Sequence, residues 1–150
     1  VKTPAFQKLV DDMIETMREY EGIGLAAPQV HEGVRLALIG IQEGHGDDRS
    51  IRVMPIVNPE ITPIGKETEE DWEGCLSLPG LRGRVPRPRQ IQVKGLDRRG
   101  NKIEFDLLGY PARVAQHEVD HLDGVLFIDR MKSLETLTFL EEYSRHWTED

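Results

Sequence analysis

The sequence has little of three features that mark specialised classes of protein. It has one cysteine, Cys75, in 150 residues, so no disulfide can form within the chain and a reducing compartment is favoured. Its 19 lysines and arginines face 27 aspartates and glutamates, and the net charge of −8 argues against a main role in binding nucleic acid or an anionic membrane. No run of about 18 apolar residues is present, and the chain does not open with the basic-then-apolar pattern expected of a signal peptide. We expect a protein that is not secreted, cytoplasmic by preference, with an organelle as the alternative.

The composition is that of an ordinary globular domain. Hydrophobic residues make up 38% and charged residues 31%, with 14 glycines and 9 prolines and no repeat. This length suits a single core, so we expect one domain over residues 1–150. The chain begins with Val1 instead of methionine, so we expect a trimmed or naturally short N-terminus.

Helices are predicted at both ends of the chain and near its C-terminal third. Thr3-Pro4 forms a start signal, and apolar residues then recur every three or four positions until Gly22. A second helix is predicted over Pro111–Leu122, ending before Asp123-Gly124. A third is predicted from about Ser133 to Trp147, where leucines and aromatics share one stripe.

The middle of the chain predicts strands. Val34–Ile41 and Ile51–Val57 are apolar runs separated by the polar loop Glu43–Ser50. Two further runs, Ile91–Leu96 and Lys102–Leu107, flank a glycine-containing turn and predict a hairpin. Strands in the middle with helices at both ends indicate an α+β domain.

One segment inside the second predicted helix has the spacing of a metal site. Residues 117–121 read H-E-V-D-H, and a helix places His117 and His121, four residues apart, on one face where both can bind one metal. Glu118 lies beside the first ligand and can act as a general base without binding the metal. The alternative is a solvated helix face with His117 paired to a neighbouring acid.

Two histidines leave a catalytic metal short of its usual three protein ligands. Cys75, in the segment E-G-C-L-S, is a candidate for the third, although a single cysteine is often only a small buried hydrophobe. A third segment, G-I-G-L-A-A-P-Q over Gly22–Gln29, is not a nucleotide loop, because alanine stands at the last glycine position and no strand precedes it.

Together, G-I-G-L-A-A-P-Q, E-G-C-L-S and Q-H-E-V-D-H-L resemble the three signature motifs of the peptide deformylases, in the same order. The resemblance covers Gly22 to about Arg130. It implies antiparallel sheets packed around a central H-E-x-x-H helix. The helical tail expected after Arg130 suggests the type of deformylase that ends in a helix.

The resemblance also implies roles for particular residues. Metal ligands would be Cys75, His117 and His121, and the general base would be Glu118. It implies one divalent metal ion, Fe²⁺ physiologically, with Zn²⁺, Ni²⁺ or Co²⁺ able to occupy a site of this ligand type. The expected reaction is removal of the formyl group from N-formyl-Met peptides and nascent polypeptides, with release of formate. No membrane or specific nucleic acid partner is expected, and contact with the ribosome is at most transient.

Further positions follow from the same family. The Gln29 amide and the Leu76 backbone N–H would donate to the substrate oxyanion. Ile23 and Gly24 would hold the peptide backbone as an added strand.

Acidic residues near the ligands are candidates for orienting them. Glu73 is the first choice, since a carboxylate beside a ligand histidine fixes its tautomer. Asp120 could hold another ligand or pair with Arg87, which lies in the basic segment Arg82–Arg89. The alternative for these arginines is a solvated strand edge.

Two competing classes of function remain open on the residues alone. A zinc metallopeptidase shares H-E-x-x-H but takes its third ligand downstream, where Glu141 and Glu142 are available. A metal-binding domain without activity would not need Glu118 or Gln29.

Overall fold

The structure is a computed structural model that describes residues 2–20, 22–43, 50–75 and 77–139. Three helices are present among these residues: α1 (Pro4–Glu19), α2 (Tyr110–Leu122) and the short α3 (Phe127–Arg130). The strands are β1 (Gly24–Ala26), β2 (Leu36–Glu43), β3 (Ser50–Pro63), β4 (Thr68–Cys75), β5 (Leu78–Pro88), β6 (Gln90–Leu96), β7 (Lys102–Leu108) and β8 (Thr138–Phe139). Short 3₁₀ turns cover Ala27–Val30 and Leu134–Thr136.

Two antiparallel sheets form the frame. The larger has the strand order β1-β2-β3-β6-β7, and the smaller has the order β4-β5-β8. Helix α2 packs against β1 and β2 of the larger sheet and against β5 of the smaller one. The expected α+β class, with antiparallel sheets around the H-E-x-x-H helix, is confirmed.

Residues 36–40 of β2 are buried on both faces, which explains the apolar sequence of this part of the strand. Leu36 and Leu38 belong to one core cluster, where they pack with α1. Ile39 points the other way, into a second cluster that includes Ala112 and Ala115 of α2. The strand therefore separates two small cores, and α2 packs in the one that contains Ile39.

Helix α2 is fixed at both ends by glycine. Gly109 precedes it with φ of 73°, and Gly124 follows it with φ of 74°, a region that side chains disfavour. Val125 N–H donates to the Asp120 carbonyl at 2.9 Å, which closes the last turn. The predicted helix over Pro111–Leu122 is confirmed within one residue.

The first helix and the predicted hairpin are also confirmed. The Thr3 hydroxyl accepts a hydrogen bond from the Phe6 N–H at 3.2 Å, as expected of an N-cap. Strands β6 and β7 pair antiparallel, with Leu96 opposite Lys102. Of the polar loop predicted over Glu43–Ser50, residues 44–49 lie outside the described residues.

The prediction of a third helix is wrong over the part that the structure describes. Residues 133–139 form a 3₁₀ turn and strand β8. Thr138 pairs with Arg82 of β5, and the Thr136 hydroxyl accepts a hydrogen bond from the Arg84 N–H at 3.0 Å. This segment therefore pairs with the open edge of β5 as a strand instead of forming a helix. Residues 140–150 lie outside the described residues, so the helix-terminated type stays a prediction.

Among the described residues, no helix has the length and apolar character needed to cross a membrane.

Candidate active site

Three potential metal ligands meet where β4 ends beside α2. Cys75 is the last residue of β4, and its Sγ lies 3.2 Å from Nε2 of His121. The Nε2 atoms of His117 and His121 are also 3.2 Å apart, one helical turn from each other. One ligand atom from each residue lies within 4.8 Å of the others. The structure therefore brings together all three residues that the sequence nominated as ligands.

The spacing and chemistry of these atoms fit a divalent metal. Tetrahedral bonds of about 2.0–2.1 Å to nitrogen and about 2.3 Å to sulfur separate the ligand atoms by roughly 3.3–3.6 Å. The observed separations of 3.2 Å are close to that range. Three protein ligands on one side leave a position open, as catalytic sites require.

The ionisation of Cys75 and His117 is coupled. Burial opposes ionisation of the Cys75 thiol, but hydrogen bonds from His117, His121 and the Ser77 backbone outweigh it and lower the pKa of Cys75 to about 5. Burial likewise disfavours a charged His117, yet its hydrogen bonds with Cys75 and Glu73 raise the pKa of His117 to about 10. Cys75 is thus a thiolate at neutral pH, the form in which cysteine binds metals.

Glu73 orients the first histidine. Its Oε1 lies 2.9 Å from His117 Nδ1, which leaves Nε2 directed at the other ligands. Arg87 donates to both carboxylate oxygens, from Nε at 2.6 Å and from Nη2 at 2.9 Å. Burial alone would raise the pKa of Glu73, but the hydrogen bonds from His117 and Arg87 lower it to about 2. The carboxylate is therefore charged, buried and available to fix the tautomer of His117.

Asp120 acts on the site from further away. It accepts a hydrogen bond from Arg87 Nη1 at 2.8 Å, the pairing proposed from the sequence, and another from Arg130 Nη2 at 2.9 Å. No hydrogen bond in the described part of the chain joins Asp120 to His121. Asp120 therefore reaches the ligands only through Arg87 and Glu73.

Glu118 is buried next to the ligands, and one of its carboxylate oxygens is unpaired in the described part of the chain. Its Oε1 has no hydrogen-bond partner among the described residues. Burial raises the pKa of Glu118 to about 7, although the charges of His117 and His121 work against that rise. A carboxyl group that titrates near neutral pH can both accept and donate a proton.

Gly24 makes room for this carboxylate. A Cβ at position 24 would overlap Oε2 of Glu118 and would lie 2.7 Å from its Cγ and Cδ. A glycine is therefore required here by close approach. The carbonyl of Ile23, the residue before Gly24, accepts a hydrogen bond from the Gly40 N–H at 2.6 Å.

Strand β1 is the last strand of its sheet, and β2 is its only partner among the described residues. Its free edge offers backbone groups to an extended peptide, a known mode of peptide capture. Gly24 faces this free edge, whereas the Ile23 carbonyl is already bonded to the Gly40 N–H of β2.

Gln29 points its amide at the ligands from the turn after β1. Its Oε1 accepts a hydrogen bond from the Ala26 N–H at 2.9 Å, which fixes which end of the amide faces the cleft. Its Nε2 lies 3.7 Å from Cys75 Sγ and 3.3 Å from Ser77 Oγ. The second expected oxyanion donor, Leu76, lies outside the described residues.

A cleft of about 330 Å³ opens onto these groups. Residues from the glycine-containing segments and from β4, β5 and α2 line it. They are Gly22, Ile23, Gly24, Gln29, Trp72, Glu73, Gly74, Cys75, Arg82, Tyr110, Arg113, Val114, His117 and Glu118. The cleft is large enough for a small side chain and the peptide group beside it.

Sequence reasoning did not assign five of the cleft residues to the site: Trp72, Arg82, Tyr110, Arg113 and Val114. For Arg113 a signal existed, because it precedes His117 by four residues as His117 precedes His121, and so lies on the same helix face. Trp72 had the weaker signal of standing directly before Glu73. Nothing in the local pattern distinguished Arg82 or Tyr110.

The fold and this cluster have the form of a metal-dependent hydrolase built on an H-E-x-x-H helix. A family model described as polypeptide deformylase matches residues 1–137. Peptide deformylase 1 of Bordetella pertussis is 43% identical over 141 residues, covering 93% of this chain and 80% of the relative. The peptide deformylase of Pelotomaculum thermopropionicum is 46% identical over 136 residues, covering 90% and 81%.

Solved structures agree. A class I type b peptide deformylase from Acinetobacter baumannii, bound to Met-Ala-Ser, superposes with a TM-score of 0.78 at 38% identity, covering 87% of this chain and 84% of that one. A Plasmodium falciparum peptide deformylase in complex with an inhibitor gives 0.77 at 31% identity, covering 95% and 82%. The chain belongs to the polypeptide deformylase family.

Proposed function

We propose that this chain hydrolyses the formyl amide of N-formyl-Met peptides and nascent polypeptides, with Cys75, His117 and His121 holding the metal. The observation that carries the proposal is a cluster of three ligand atoms, all within 4.8 Å of one another, next to the buried carboxylate of Glu118. The Oε1 atom of Glu118 has no hydrogen-bond partner among the described residues. A site that only stored metal would gain nothing from leaving this carboxylate oxygen unpaired.

A bound divalent metal supplies a nucleophile at neutral pH and Lewis acidity toward the formyl oxygen. The donor set suits Fe²⁺, Zn²⁺, Ni²⁺ or Co²⁺, and we infer Fe²⁺ as the physiological ion from the family. A ferrous thiolate site needs protection from oxidation, which favours the reducing cytoplasm.

Glu118 moves the proton. With a pKa of about 7 it accepts a proton from the attacking water at its carboxylate and passes it to the leaving amide nitrogen. Proton transfer of this kind contributes roughly 10²- to 10⁴-fold.

Gln29 and the backbone at Leu76 stabilise the charge that develops on the formyl oxygen. Because Gln29 Oε1 is already bonded to the Ala26 N–H, its Nε2 is the end that faces the cleft and can donate. One such donor is typically worth about 3–4 kcal/mol in the transition state.

The peptide lies along the open edge of β1 beside Ile23 and Gly24, with Gly24 presenting its backbone to it. The Met side chain enters the cleft beside Trp72, Tyr110 and Val114, whose carbon surfaces suit an unbranched thioether. We expect contact with the ribosome to be transient.

The test is an anaerobic assay of formate and free amine from formyl-Met-Ala-Ser, using protein loaded separately with each metal. We expect both products from the wild type, and Glu118→Gln should keep its metal but lose about 10²–10⁴ in kcat. Glu104→Gln, on exposed strand β7, is the matched control and should behave as wild type.

A second arm separates this proposal from a metallopeptidase. Cys75→Ala should lower the metal content, whereas Glu141→Ala and Glu142→Ala should not. Cleavage of internal peptide bonds without formate release, or metal loss on removing a glutamate and not the thiol, would overturn the proposal.

A further inference from the structure

Arg113 is a buried cation beside the candidate metal centre that the mechanism above does not use. It lies on α2, one turn before His117, and only 6% of its surface is exposed. Its guanidinium reaches three acceptors: Glu73 Oε2 at 2.5 Å, the Val85 carbonyl at 2.8 Å and the Glu69 carbonyl at 2.7 Å. A side chain so fully desolvated and bonded has one available position.

These acceptors connect Arg113 to the element that carries the thiolate. Glu69 and Glu73 both belong to β4, which ends at Cys75, and Val85 belongs to the paired strand β5. The histidines lie on α2 with Arg113 itself. One side chain therefore ties the helix bearing two ligands to the strand bearing the third.

Glu73 is held in a particular orientation by this contact. Its Oε2 accepts hydrogen bonds from Arg113 Nη1 and Arg87 Nε, so two guanidinium groups fix that oxygen. The remaining oxygen, Oε1, is then directed at His117 Nδ1, 2.9 Å away. Arg87 also donates to Oε1, so Arg113 adds a third guanidinium hydrogen bond to a carboxylate that Arg87 already binds at both oxygens.

We propose that Arg113 is a positioning residue for the metal centre: it clamps Glu73, on the strand that ends at Cys75, against His117 of α2. The inference rests on the ligand set proposed above and adds a residue to it. A planar fork is needed because a lysine ammonium could not reach acceptors on two strands and a carboxylate together.

The experiment compares Arg113→Met, Arg113→Lys and wild type for metal affinity, by competition with a chelator, and for the visible absorption of the Co²⁺-loaded protein. Changes in the partners of a ligand histidine typically weaken metal binding 10- to 100-fold. We expect a loss in that range for Arg113→Met, with a shifted Co²⁺ spectrum, and a smaller loss for Arg113→Lys, which keeps the charge. Loss of folding stability alone would not move the spectrum.

Gln116→Met is the matched control. Gln116 is also buried on α2 and donates to the Pro88 and Ala112 carbonyls, but it does not touch Glu73. This variant should lose stability and keep the wild-type Co²⁺ spectrum. If it shifts the spectrum as much as Arg113→Met, the effect is general to the helix and the inference is wrong.

A double-mutant cycle tests the route through Glu73. In a Glu73→Gln background, replacing Arg113 with methionine should change metal affinity by less than about threefold. An equal loss in both backgrounds, or wild-type affinity and spectrum in both Arg113 variants, overturns the inference while leaving the proposed function intact. Failure of the wild type to bind metal at all overturns both.

Discussion

Replacing Gly24 by alanine tests whether the close approach of β1 to Glu118 matters for catalysis. The new methyl would lie 2.7 Å from Cγ and Cδ of Glu118, whereas ordinary van der Waals contact begins at 3.4 Å. The Glu118 carboxylate, strand β1 or both must therefore move by at least 0.7 Å, since Oε2 lies closer still. Since Glu118 is buried on α2, we expect its carboxylate to move away from the cleft.

The size of the effect follows from how steeply catalysis depends on position. A displacement of roughly 1 Å in a catalytic group can lower the rate about 10²-fold. Complete loss of proton transfer costs at most about 10⁴-fold. We therefore expect Gly24→Ala to lower kcat about 10²-fold with its metal content unchanged, because the atoms nearest to a Cβ at position 24 belong to Glu118 and not to a ligand.

The assay is formate release from a formyl-Met peptide, with metal content measured on the same sample. Gly33→Ala is the control, since a Cβ there meets no atom within 4 Å. In combination with Glu118→Gln, the alanine at position 24 should lower kcat by less than about threefold further, because the group it displaces no longer transfers protons. Wild-type kcat in Gly24→Ala, or full additivity with Glu118→Gln, would refute the reasoning.

Two further predictions concern the charges around the ligands. Metal binding should release at least one proton at pH 7, because the pKa of His117 is about 10 and that of Cys75 about 5. Metal affinity, measured by chelator competition, should therefore rise about tenfold per pH unit between those two values. A flat affinity profile from pH 6 to 8 would contradict this. Arg87→Met, which removes the guanidinium that buried Glu73 and Asp120 share, should lower stability by about 3–5 kcal/mol in thermal or urea unfolding. Lys8→Met, at an exposed pair, should leave the melting temperature unchanged, and equal effects would show that burial does not set the cost.

Features set by local spacing were predictable from the sequence. The H-E-x-x-H helix, α1 and the β6–β7 hairpin each depend on contacts within a few residues, and each is found where the pattern places it. The approach of Cys75 to the histidines was proposed from ligand chemistry and from the resemblance to a family. No local pattern could show it, because more than 40 residues separate Cys75 from His117.

The β4–β5 hairpin had no such local signal. Strand β4 reads T-E-E-D-W-E-G-C, with four exposed residues at its start, and β5 carries three arginines and three prolines. Their pairing is stabilised in part by contacts across the fold, such as Arg113 with the Glu69 and Val85 carbonyls. Propensity and alternation report burial within one strand, so they are silent where a charged network supplies the stabilisation.

The error at residues 133–139 has a related cause. Leu134 and Leu137 have helical spacing, which predicted a packing face, yet Leu134 is 64% exposed and Phe139 is 67% exposed. Backbone pairing of β8 with β5, together with the Thr136 hydroxyl, outweighs that preference. A tertiary partner that the sequence pattern does not reveal decided the local structure.

The charge arrangement at the site explains why His117 carries a proton when a chelator has removed the metal. The Cys75 thiolate and the Glu73 carboxylate both face the His117 ring, and buried anions require a positive partner. Arg87 and Arg113 bind Glu73, and Arg130 binds Asp120, whereas the thiolate has its hydrogen bonds with the histidines. A proton on His117 balances the charge of the thiolate, and a divalent ion replaces that proton without disturbing the arginines. The arginine network therefore keeps the ligands in place in both states, which is why its removal should weaken metal binding as well as the fold.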